Sequence, residues 1–180
     1  MKTPTDHTQG ELIVSAVESL RQGELLLSRM DDAVYMRKVS AAFNASIGGH
    51  YRHCLDHFRA LLDAAAAGDL NYDHRERGTL VENDRFAAIN ATRELCERFG
   101  QLNPALLARP LSVTCKTSYA TRGSQVSPST VGREIMYAVA HAVHHYALIG
   151  TMARIMNVPL PDGFGVAPST VEHLQKTAAA

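Results

Sequence analysis

The sequence has no tryptophan, few aromatic residues and no surplus of either charge. Lys plus Arg and Asp plus Glu number 18 each among its 180 residues, so the formal net charge is zero when the histidines are neutral. A chain without a basic surplus lacks the field that gathers phosphates, which argues against a nucleic-acid partner. The hydrophobic share of 46% is still enough for a core, and the length predicts a single domain over residues 1–180.

Cysteine is scarce as well. Cys54, Cys96 and Cys115 are odd in number and widely spaced, and they form no CxxC pair. This pattern argues against a disulfide framework and favours a reducing compartment. The segment from Met1 to Gly10 is polar and contains no apolar run typical of a signal peptide. We therefore expect a cytoplasmic protein.

Long apolar runs are missing except for one stretch in the second half of the chain. Ile135 to Ala153 contains no Asp, Glu, Lys or Arg, and it is close to the length that spans a bilayer. Three histidines and Tyr146 lie in its middle, and placing them at membrane depth would be costly. We interpret this stretch as a buried helix of a bundle, with no membrane partner.

Apolar residues recur at helical spacing in four long segments. The predicted helices are Glu11 to about Met30, Ser46 to Ala67, Asp84 to Phe99 and Ser127 to Asn157. Ser46 is the predicted N-cap of the second helix, and Gly68 and Gly100 are predicted C-terminal stops. Ser127 and Pro128 are the predicted N-cap and first residue of the fourth helix.

The remaining segments are irregular. Asp31 to Asn44 is compatible with a further turn of helix, and Asn71 to Asn83 shows no period and is predicted to be a loop. Leu111, Val113 and Cys115 alternate with polar residues between Pro104 and Pro128, which indicates a short β-hairpin. A short helix is predicted at Thr170 to Gln175. Together these patterns predict an all-α four-helix bundle with a hairpin excursion before the last long helix.

Histidine is concentrated in two places. Six of the nine histidines fall in two short windows, and they are His50, His53, His57, His141, His144 and His145. The first three lie within a sector of about 60° on a helix, so they share one face. Residues four apart on a helix are neighbours, so His141 and His145 can bind one ion together. A third imidazole from the facing helix, from His50, His53 or His57, would complete a divalent-metal site with open positions.

Other residues have weaker cases. Cys54 is a further candidate ligand, but a buried structural thiol is the more frequent outcome for free cysteine. Asp56 and Glu134 lie one or two turns from candidate ligands and could orient an imidazole. His144 could contact substrate, and His144 or Tyr146 could handle protons. A pocket rim is a further hypothesis for Tyr72, Asp73, Arg75 and Arg77.

Several of these residues resemble the motifs of the DinB/YfiT-like superfamily of metal-binding four-helix bundles. Ser46-Ile47 opens the second helix, His53 follows Ser46 by seven residues, and Asp56 comes three later. The HxxxH pair in the fourth helix is His141 with His145. The resemblance extends from about Glu11 to Asn157, and it implies that the metal ligands are His53, His141 and His145.

The resemblance also indicates a function, since some relatives are transferases that use thiols such as bacillithiol or mycothiol. The leading hypothesis is a metal-dependent thiol S-transferase that joins a small thiol to an electrophilic substrate. A metal-dependent hydrolase and a non-catalytic, metal-stabilised binding or stress-response module are the alternatives. Zinc and nickel are the favoured ions and iron is an alternative, since imidazole suits all three. A homodimer is compatible with a bundle of this size.

Overall fold

The structure, a computed structural model, describes residues 6–74 and 78–178. Its helices are α1 (Asp6–Leu27), α2 (Asp32–Met36), α3 (Ile47–Ala67), α4 (Leu80–Asn83), α5 (Arg85–Gly100), α6 (Val131–Ile155) and α7 (Pro168–Ala178). Its strands are β1 (Asp69–Asn71), β2 (Pro110–Cys115) and β3 (Gln125–Thr130). Short 3₁₀ turns occupy Ser40–Ala42 and Pro104–Ala108. The mainly helical fold class and the hairpin before the last long helix are thus confirmed.

The second long helix has the ends that the sequence predicted. Ser46 is the N-cap of α3, and its hydroxyl accepts a hydrogen bond from the Gly49 amide at 3.1 Å. Gly68 ends the helix in the left-handed conformation, with φ of 95°, and its amide donates to the Ala64 carbonyl. Both caps satisfy backbone groups that a helix end leaves unpaired. They also fix where the histidines of α3 begin.

Four helices form the bundle, and each of α1 and α3 packs against both α5 and α6. Large fully buried side chains fill the space between them. Phe58 on α3, for example, meets Phe99 on α5 edge to face, with ring centroids 5.8 Å apart. This arrangement makes α3 and α6 direct neighbours, so side chains from the two helices can meet.

A small sheet lies at one end of the bundle. Its strand order is β1-β2-β3, with β1 and β2 parallel and β2 and β3 antiparallel. β1 follows α3 directly after Gly68, and β3 runs straight into α6. The sheet therefore ties the C-terminal end of α3 to the N-terminal end of α6.

The predicted start of the last long helix was wrong. Ser127 and Pro128 belong to β3, where Pro128 lies opposite Ser112 on the neighbouring strand. Proline is tolerated there because β3 is an edge strand, whose outer backbone groups need no partner. The helix begins at Val131, and Thr130 is its N-cap, with its hydroxyl accepting from the Arg133 amide.

One smaller difference concerns the segment between α3 and α5. Asn71 to Asn83 was predicted to be a loop, but it contains the end of β1 and the short helix α4. α5 ends at Gly100, where the sequence predicted its stop, and Gln101 follows as the cap in right-handed geometry. No helix among the described residues combines the length and apolar character needed to cross a membrane.

Candidate metal centre

The site lies where α3 faces α6. His53 comes from α3, and His141 and His145 come from successive turns of α6. One ring nitrogen from each of the three residues lies within 4.8 Å of the others. All three side chains are partly buried, so they lie at the edge of the core with access to solvent. The structure thus brings together the three residues that the sequence predicted as ligands.

The spacing of these nitrogens fits a shared ion. His53 Nε2 and His141 Nε2 are 3.0 Å apart. Two imidazoles bound to one tetrahedral ion at about 2.0 to 2.1 Å would hold their nitrogens about 3.3 Å apart. The observed separation is close to that value, and the donors are all imidazoles, which suit zinc, nickel and iron. The residues present therefore fit a divalent metal ion.

His53, His141 and His145 form the donor set, and His50 contacts it from the first turn of α3. Its Nδ1 lies 3.0 Å from Nδ1 of His145, so one of the two nitrogens must carry the proton. Burial, followed by the neighbouring His50, His144 and His57, lowers the pKa of His145 to about 4. Burial and His144 also lower the pKa of His50. Both rings are therefore neutral near pH 7, the form in which an imidazole binds metal.

The third histidine of α3 lies deeper. His57 is buried, and its Nδ1 donates to the His53 carbonyl at 3.0 Å. Its ring stacks on His141 with centroids 4.1 Å apart and on Tyr72 with centroids 4.8 Å apart. His57 thus packs against the His141 ring and buttresses its orientation.

The predicted orienting carboxylates do not act alike. Asp56 forms ion pairs with Arg52 at 2.5 Å and with Arg59 at 3.7 Å. Glu134 is 3% exposed and accepts from the hydroxyls of Tyr72, at 2.8 Å, and Ser129, at 2.6 Å. Within residues 6–74 and 78–178, Glu134 makes no direct hydrogen bond to an imidazole. Its link to the histidines is through the Tyr72 ring, which stacks on His57.

The remaining predicted residues lie in different surroundings. Cys54 is 1% exposed, and burial raises the pKa of its thiol, which is the behaviour of a structural core cysteine. Tyr72 is buried and Asp73 is exposed. Arg75 and Arg77, the other two residues of the predicted rim, lie outside the described residues.

The two predicted proton-handling residues differ in how far they are buried. His144 is exposed, and its ring meets the His145 ring edge to face, with centroids 5.4 Å apart. Tyr146 is fully buried, its hydroxyl donates to the Ser19 carbonyl at 3.1 Å, and its ring stacks on Tyr51 and Phe164. His144 therefore lies beside the donor set, whereas the contacts of Tyr146 belong to the core.

Sequence reasoning overlooked two parts of the site. Tyr137 stacks on His141, with centroids 5.7 Å apart, and its position four residues earlier on the same helix could have revealed it. A cavity of about 410 Å³ also adjoins the donor set. Its lining includes Lys38, Arg52 and Glu82, which come from separate parts of the chain and share no motif.

Comparison with known proteins places the fold and leaves the family open. No protein-family model matches the sequence. A stretch of 107 residues, 59% of the chain, is 34% identical to FK506-binding protein 5 of Rhizopus delemar. The match covers 28% of the length of that relative, so the chain resembles one part of a longer protein.

A solved structure extends the likeness to most of the chain. The DinB-like protein YjoA of Bacillus subtilis superposes with a TM-score of 0.62, covering 86% of this chain and 98% of that one, at 16% sequence identity. Identity at this level speaks for the fold alone. The chain has the fold of a DinB-like helical bundle, with three histidines placed where they could hold a metal ion.

Proposed function

We propose that this chain binds a divalent metal ion through His53, His141 and His145 and uses it to transfer a small thiol to an electrophile. The convergence of three ring nitrogens within 4.8 Å carries the proposal. Three ligands leave coordination positions open, as in catalytic rather than structural zinc sites. A divalent ion in such a site lowers the pKa of a bound thiol and so supplies thiolate near neutral pH.

The surrounding side chains would orient the ligands. Two residues of α3 contact the ligand rings of α6: His50 lies close to His145, and His57 stacks on His141. Such outer contacts typically change metal affinity by about 10- to 100-fold when removed. The low pKa of His145, a result of burial and neighbouring histidines, keeps its ring neutral.

The transfer itself needs a proton acceptor and an entry path. The sulfur loses its proton, its electron pair forms the new bond to carbon, and the leaving group departs with the electrons of the bond that breaks. His144 is our candidate for the proton acceptor because its imidazole lies exposed beside His145. The cavity of about 410 Å³ next to the donor set is the proposed path for substrates.

The test first measures the metal content of the protein and then measures thiol transfer. We expect elemental analysis of untagged protein to give about one zinc, nickel or iron per chain. Mercaptoethanol and chlorodinitrobenzene should then release chloride in step with thioether formation, and His144→Gln should slow this reaction without lowering metal content. A metal-replete protein that forms no thioether with any small thiol would contradict the transfer.

The donor set also supports a simpler role. Because its ligands come from both α3 and α6, an ion would join two helices and stabilise the fold without catalysis. In that case chelation would lower the melting temperature strongly, while thiols would neither bind nor react. Hydrolysis of an ester probe in place of thioether formation would indicate the hydrolase alternative.

A further inference from the structure

The cavity beside the donor set is lined by histidines on one side and by charged side chains elsewhere. His50, His53 and His145 form one side, so two of the three proposed ligands face the same space. Three charged side chains, Arg52 of α3, Lys38 and Glu82, complete the lining with smaller residues. A small molecule that reaches the metal centre through this cavity must therefore contact both imidazoles and charged groups.

One of the two cations is already neutralised. Arg52 is 13% exposed and donates to Glu82 at 3.1 Å and to Asp56 at 2.5 Å. Two carboxylates thus offset its charge and occupy its nitrogens. It serves as part of the wall, because a ligand anion would have to compete with both carboxylates for it.

The other cation is free to meet a ligand. Lys38 forms no ion pair or hydrogen bond with its side chain in the described part of the chain. Its backbone is held in place, since the adjacent Val39 amide donates to the Ala45 carbonyl at 2.9 Å, and the Val39 carbonyl accepts from the Asn44 amide at 3.1 Å. Ala45 directly precedes Ser46, the cap of α3. This loop fixes Lys38 beside the helix that carries His53.

We infer that Lys38 is a specificity-determining residue that selects small thiols bearing a carboxylate. The inference rests on the proposed metal site, since the thiol sulfur must reach the histidines while the carboxylate meets the lysine ammonium. Three thiols of similar size provide the chemical comparison: mercaptopropionate is an anion, mercaptoethanol is neutral and cysteamine is a cation. Across a partly open cavity, the Lys38 ammonium attracts the carboxylate of mercaptopropionate and repels the ammonium of cysteamine.

The experiment uses the full chain loaded with Co²⁺, whose visible spectrum reports on the site and whose sulfur-to-cobalt absorption reports on thiol binding. Each thiol is titrated into the unaltered protein, Lys38→Met, Lys38→Arg and Arg37→Met. Arg37 is the matched control because it is an adjacent exposed cation that does not line the cavity. Comparing variants cancels the intrinsic preference of cobalt for each thiol.

We expect Lys38→Met to reduce the preference for mercaptopropionate over mercaptoethanol by about two- to fivefold, the range of an exposed ion pair. Lys38→Arg and Arg37→Met should retain it, and added salt should weaken it in the unaltered protein. Circular dichroism checks that each variant keeps its helices.

The two proposals fail in different ways. If Co²⁺ gives no spectrum of a bound ion, the metal centre is wrong and the lysine assignment falls with it. If Co²⁺ binds and Lys38→Met keeps the full preference, only the lysine assignment is wrong. An equal loss in Arg37→Met would assign the effect to the general field of the loop and would also overturn it.

Discussion

Helices α3 and α6 contact each other through two adjoining faces, a core face with Tyr51 and Tyr146 and a histidine face with His53 and His141. The polar atoms of the two faces have different partners. On the core face, the Tyr51 hydroxyl lies 2.8 Å from the Thr92 hydroxyl, and the Tyr146 hydroxyl donates to the Ser19 carbonyl. On the histidine face, nitrogen meets nitrogen, with His53 against His141 at 3.0 Å. The first face pairs complementary groups, and the second collects groups of the same kind.

The difference separates structural polar residues from ligands. A hydroxyl bonded to a hydroxyl or a carbonyl is satisfied within the protein. Two neutral imidazole nitrogens can share a hydrogen bond only if one carries the proton, and a cation can satisfy the lone pairs of both at once. We therefore expect substitutions on the histidine face to change metal affinity, and substitutions on the core face to change stability.

The largest effect should come from a ligand on the histidine face. His141→Ala removes the residue that contacts His53, His57 and Tyr137 together. We expect metal affinity to fall by more than about 100-fold, beyond the range seen for outer contacts. Calorimetric titration with Zn²⁺ measures the loss directly.

The same variant tests whether binding stabilises the fold. A ligand at about 100 times its dissociation constant adds about 2.7 kcal/mol to the folded state, so Zn²⁺ should raise the melting temperature of the unaltered protein and not that of His141→Ala. His173→Ala is the control, because His173 is exposed on α7. Equal stabilisation of all three proteins by Zn²⁺ would place the ion elsewhere.

A smaller effect is expected at the border of the donor set. His50→Ala removes the ring nitrogen that lies 3.0 Å from His145 but leaves the three proposed ligands in place. We expect metal affinity to fall by about tenfold, the low end for an orienting contact. A loss as large as that of His141→Ala would make His50 a ligand in its own right and would redraw the site.

The sequence could predict the histidine face because its signals are local. Helical spacing alone puts His50, His53 and His57 on one face and makes His141 and His145 neighbours. The caps of α3 follow from Ser46 and Gly68, whose chemistry acts over one turn. The convergence of the two groups required knowing that α3 and α6 are adjacent, which the bundle pattern suggested.

The failures arose where pairing between distant segments overrides local preference. Ser127-Pro128 is a good helix start in isolation, yet its pairing with β2 places it in a strand. The proton-handling role of Tyr146 stays a prediction, and the residue neighbours His145 in sequence, but one residue along a helix turns a side chain by about 100°. That turn moves it from the histidine face to the core face. The cavity that contains Lys38 joins segments with no common motif.

The smallest expected effect tests whether Tyr146 belongs to the core face. Tyr146→Phe removes the hydroxyl that donates to Ser19 and keeps the ring that stacks on Tyr51 and Phe164. Loss of one buried hydrogen bond should lower the free energy of unfolding by about 1 kcal/mol, which is a shift in melting temperature of about 2 to 4 °C for a chain of this size. Tyr119→Phe, at a fully exposed tyrosine, should cause no shift. Metal affinity should be unchanged in both variants, because neither hydroxyl lies on the histidine face. If instead Tyr146→Phe kept its stability and its metal but lost thiol transfer, the proton-handling role predicted from sequence would be confirmed, and the division between the two faces would fail at the residue that marks it most clearly.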